Sequence, residues 1–122
     1  MKNISSHFYH QQDLPLQTQI LNISVNLGRV GNWVYQLQAL IGTPKIYQAR
    51  LELIKKVNEQ TKSYVNDLYS QKLSGSFKTT LEKCKKDFDT LNSQDLTNTN
   101  QLYWAEQALT WANILQHRAK LA

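Results

Sequence analysis

The sequence predicts an all-α fold, an antiparallel four-helix bundle whose first two helices form a long hairpin. Three observations predict it. Apolar residues recur at alternating spacings of three and four in four separate stretches, which is the period of a buried helical stripe. The chain has two prolines and four glycines in 122 residues, too few for an all-β chain with many tight turns. The connections are short or moderate, so successive helices lie side by side and antiparallel. The 122 residues suit one domain. A polar tail over 1–13 is expected, then the bundle over 14–122.

The first stretch organises the rest. Ile20, Ile23, Leu27, Val30, Val34, Leu37 and Ile41 form an unbroken stripe. Asp13 complements the positive end of the helix, and Pro15 fits its first turn. Gly42 predicts the stop, through a left-handed residue that lacks a Cβ clash. From Pro15 to Ile41 the helix would be about 40 Å long. Thr43 and Pro44 then suit the cap and first position of the second helix. Its seam reads Tyr47, Arg50, Ile54, Val57, Thr61, Tyr64 and Leu68, widened by Leu53 and Val65, and it runs to about Tyr69.

Ser70 to Ser76 reads as a loop. The third helix follows with Phe77, Leu81, Cys84, Phe88 and Leu91 in register. Asn92 to Asn100 is a polar loop, with Leu96 expected beneath it. The fourth helix starts near Thr99 or Asn100, both usable caps. It offers two adjoining faces: Leu102, Ala105, Leu109, Ala112 and Leu115 or Gln116, and Trp104, Ala108, Trp111 and Leu115. Trp104 and Trp111 are expected in an aromatic core. Arg118 and Lys120 in its last turn complement the negative end of the helix.

Composition narrows the function classes. The formal net charge is +5, a modest excess that only weakly favours nucleic acid or an acidic partner. Cys84 is the single cysteine, so neither an intrachain disulfide nor a thiolate metal cluster can form. A reducing cytoplasmic setting is the simplest expectation. No apolar run is long enough to span a membrane, and Met1 to Asp13 lacks the apolar core of a secretory leader.

The sequence holds no Gly-rich phosphate loop, no Gly-x-Ser-x-Gly and no His-Glu-x-x-His. It therefore reads as a non-enzymatic chain needing no cofactor. His7 and His10 have the spacing to touch one metal on a helix, but Asp13 is the only further ligand nearby, so no metal is expected. Cys84 lies in an apolar seam and reads as a small hydrophobe. Asp87 and Asp89, two apart on a helix, point in different directions.

Two surfaces remain. The first helix is apolar beyond its seam, and amides stand where a charged outer face is usual. Leu21, Val25, Gly28, Asn32 and Tyr35 are therefore the expected partner-binding residues, for a second copy of the chain or another protein. Gly28 and Gly31 each cost roughly 1 kcal/mol against Ala in a helix, which close approach of a partner backbone would explain. The alternative is a nucleic-acid-binding accessory protein using Lys72, Lys78, Lys83, Lys85 and Lys86 to track phosphates.

Overall fold

The computed structural model describes residues 10–122. It contains four α-helices: α1 (Leu16–Tyr35), α2 (Pro44–Tyr69), α3 (Gly75–Asn92) and α4 (Gln101–Leu121). There is no strand among the described residues. Each neighbouring pair is antiparallel. Asn26 of α1 donates to Gln60 of α2 at 3.0 Å, while Arg50 near the start of α2 reaches Gln36, just past the end of α1. Trp104 of α4 donates to the Leu91 carbonyl at the end of α3 (3.1 Å), and Arg118 reaches Ser76 at its start (3.0 Å).

The stripes expected from periodicity form the core. Ile20, Ile23, Leu27, Val30, Val34 and Leu37 are buried, as are Phe77, Leu81, Cys84, Phe88 and Leu91. On α4 the face carrying Trp104, Ala108, Trp111 and Leu115 goes inside. The adjoining face splits: Ala105 and Ala112 are buried, whereas Leu102 is 57 % exposed. Leu53, expected to widen the seam of α2, is exposed.

Four expectations are corrected locally. The first helix does not stay α-helical to Ile41, because Gln36–Leu40 tightens into a 3-10 turn. With three residues per turn instead of 3.6, the stripe changes phase, and Ile41 is carried out to solvent. Gly42 does not adopt a left-handed conformation. The turn closes instead through Thr43, whose N–H and hydroxyl both donate to the Leu40 carbonyl (2.9 and 3.0 Å). That leaves no side-chain cap on α2.

The polar tail is corrected at its inner end. His10–Asp13 is a 3-10 turn, and Gln11 is buried. Gln11 Nε2 donates to the Gln19 carbonyl (3.3 Å) and accepts at Oε1 from Asn22 (3.2 Å). Residues 1–9, most of the expected polar tail, lie outside the described part. The His7 and His10 pair falls outside the described side chains.

Candidate functional site

The backbones of α1 and α4 run closest of all the helix pairs, and small residues are the cause. Helix axes approach according to the side chains at the contact. On α1 these are Ser24, Gly28 and Gly31. A Cβ at Gly31 would stand 2.8 Å from Leu109 Cγ and 3.3 Å from the Ala105 carbonyl oxygen. A Cβ at Gly28 would meet Ala112 Cβ at 3.8 Å. Ser24 Oγ donates to the Ala112 carbonyl at 2.6 Å, between helices 88 residues apart in sequence. The backbone that the α1 glycines admit is thus α4 of the same chain, not that of a partner, which corrects the reason given for Gly28.

A groove of about 400 Å³ runs along the outside of this seam. Leu21, Val25 and Gly28 line it from α1, and Leu109, Asn113 and Gln116 from α4, with Ser24 and Ala112 between them. None of these side chains is charged. Leu21 is half-buried against the core, while Val25 is 53 % exposed. Asn32 and Tyr35 continue the stripe along α1, and Tyr35 is 64 % exposed. Exposed Leu102 stands at the same end of the bundle, because antiparallel pairing sets the start of α4 beside the end of α1. The five residues expected to bind a partner therefore share one face, and three of them line one groove.

Sequence reasoning missed the α4 half of this groove. Leu109, Asn113 and Gln116 become neighbours of α1 only through the fold. One signal was readable: small residues at Ala105, Ala108 and Ala112 match Ser24, Gly28 and Gly31 in spacing. The amides of α1 also have internal work that periodicity does not reveal. Gln19 is buried, donates to the Leu14 carbonyl (2.8 Å) and accepts from Gln71 (2.7 Å).

The lysines are less concentrated. Lys85 pairs with Asp89 at 3.2 Å, and Lys78 sits over the Tyr69 ring, 5.6 Å from its centre. Lys83 and Lys86, three apart, are exposed neighbours on α3, while Lys85, two and one positions from them, leaves the helix in another direction. Lys72 lies in the preceding loop. The five do not share one strip.

Burial, rather than acid–base pairing, displaces the titratable groups. Burial raises Tyr64 and Asp67. Burial, helped by the Asp87 charge, pushes the Cys84 thiol up to about 12, so it stays protonated and is a poor nucleophile. Asp87 itself accepts from Trp111 Nε1 at 3.0 Å, and Asp89 holds Lys85, so the two carboxylates serve different neighbours. Among the described residues no three potential metal ligands come together, and no helix is long and apolar enough to cross a membrane. No protein-family model, characterised protein or solved structure matches this chain.

Proposed function

We propose that this chain is a non-enzymatic, cytoplasmic interaction module that self-associates through the α1–α4 face. The observation that carries this reading is the exposure of Val25 and Tyr35 on a helix whose opposite side is the centre of the core. Apolar area left in water favours coverage by about 25 cal/mol per Å².

Local chemistry, rather than net charge, fits a second copy as the occupant. Each chain carries a formal +5, a repulsion that salt screens, and Arg29 is exposed one turn from Val25, so the contact centres on the uncharged groove. The groove between Val25 and Asn113 is lined by uncharged groups. Its amides, Asn113 and Gln116, can hydrogen-bond to like amides across a two-fold axis, the usual symmetry of a homodimer.

Size exclusion with light scattering tests this. Wild type is expected at twice 14.2 kDa, and the double variant Val25→Glu, Tyr35→Glu at the single-chain mass with unchanged helicity. A wild-type monomer at high concentration overturns the reading. The rival, nucleic-acid binding through Lys72, Lys78, Lys83, Lys85 and Lys86, rests on net charge. It requires a gel shift at low salt that weakens steeply as salt rises.

A further inference from the structure

We propose that Tyr35 of one copy seats in the α1–α4 groove of a second copy, and that the second copy returns the same contact. This contact rests on self-association through the α1–α4 face and supplies its anchor. The groove has a floor of small residues, Ser24, Gly28 and Ala112, between walls of Leu21, Val25 and Leu109. Gly28 and Leu109 are partly exposed, and Val25, Asn113 and Gln116 are exposed, so the groove is open to a side chain arriving from outside. Its lining is apolar except for the two amides on α4. An occupant with an apolar body and one uncharged polar tip matches that lining, whereas a charged group would lose its hydration there. A tyrosine has that form, with a ring to bury and a hydroxyl for an amide.

Position singles out Tyr35. Leu21, Gly28 and Tyr35 are seven apart, which sets them nearly in line along α1. Tyr35 projects from that line, 64 % exposed, about 15 Å along the helix from Val25. When two copies of α1 run antiparallel about a two-fold axis midway between Val25 and Tyr35, each Tyr35 meets the groove of the other copy. One axis therefore makes the contact twice. The same axis sets Asn32 opposite Gly28, where no side chain obstructs it. Arg29 lies about 100° round the helix from Gly28, so it stays at the rim in water. Leu102 falls in line with Leu109 and Gln116 on α4 at the same spacing of seven, and its exposed side chain extends the apolar ridge that Tyr35 begins.

Mixing two variants of the full chain tests this. Tyr35→Ala keeps the groove and removes its occupant, while Asn113→Trp fills the groove and keeps Tyr35. Both positions are exposed, and circular dichroism checks that helicity is unchanged. In sedimentation equilibrium each variant alone should dimerise about 100-fold more weakly than wild type, since each loses both copies of the contact. An equimolar mixture should form a heterodimer about tenfold tighter than either variant makes with itself, because one Tyr35 again meets one open groove. A monomeric wild type overturns this contact together with the self-association beneath it. A dimeric wild type with Tyr35→Ala within about threefold of its affinity, or a mixture no tighter than the separate variants, overturns the contact alone and leaves self-association standing. The Tyr35→Ala comparison decides the matter even if Asn113→Trp fails to fold.

Discussion

The two long sides of this bundle are built on opposite principles. Along α1–α4, small residues bring two backbones together, and a hydroxyl crosses the seam to a main-chain carbonyl. Between α2 and the α3–α4 connection a cleft of about 530 Å³ remains. The first side is rigid because Gly31 leaves no slack. The second tolerates change because its walls are loops and long side chains. The difference separates two roles in one small chain: one side brings two backbones together and leaves an uncharged groove only outside the seam, and the other leaves a cleft between its elements.

The sharpest way to break this contrast is to add atoms at Gly31. Gly31→Val should cost about 3 kcal/mol by overpacking against Leu109 and the Ala105 backbone. Leu96→Ala, at the edge of the open cleft, should cost about 1 kcal/mol, since Leu96 is only partly buried. Urea denaturation of both variants checks the ranking, and equal losses would remove the distinction.

A smaller effect follows from Cys84 in α3. Its folded-state pKa of about 12 lies above the ordinary 9.0. The folded chain keeps the proton while the unfolded chain releases it, so stability is complete below pH 9 and falls as pH rises toward 12. The slope from this group approaches about 1.4 kcal/mol per pH unit. Wild type should therefore lose stability relative to Cys84→Ala between pH 9 and 11, measured by denaturant melts at each pH.

The smallest effect has the opposite sign. At Gly28 a Cβ makes an ordinary contact at 3.8 Å, so Gly28→Ala should gain about 0.5–1 kcal/mol from helix propensity. A higher melting temperature for Gly28→Ala beside a lower one for Gly31→Val would show that three residues along α1 the packing changes from permissive to closed.

The same contrast explains what was legible in the chain. Alternating spacings locate α1 to α4 and their buried stripes because burial of one helical face leaves a period in the sequence. The exit of Ile41 from its stripe was not legible, since a 3-10 turn leaves no compositional mark. Pairing was also hidden. Gly28 and Gly31 advertise a close neighbour without saying which one, and α4 lies some 70 residues further along by its numbering. Half of the α1 face was therefore found by periodicity, and Leu109, Asn113 and Gln116 only by the fold. The cleft depends on how α2 and the α3–α4 connection lie, which no local pattern encodes.

The glutamine contacts at the beginning of α1 bear on where the chain can be trimmed. Gln11 and Gln19 clasp the entry turn to the first helix, and Gln71 ties that helix to the far end of α2. A protein cut to start at Leu14 would keep every apolar stripe and yet lose the Gln11 half of that clasp. Such a cut should lower stability by about 1 kcal/mol, although it falls ahead of the first residue that hydrophobic periodicity would select.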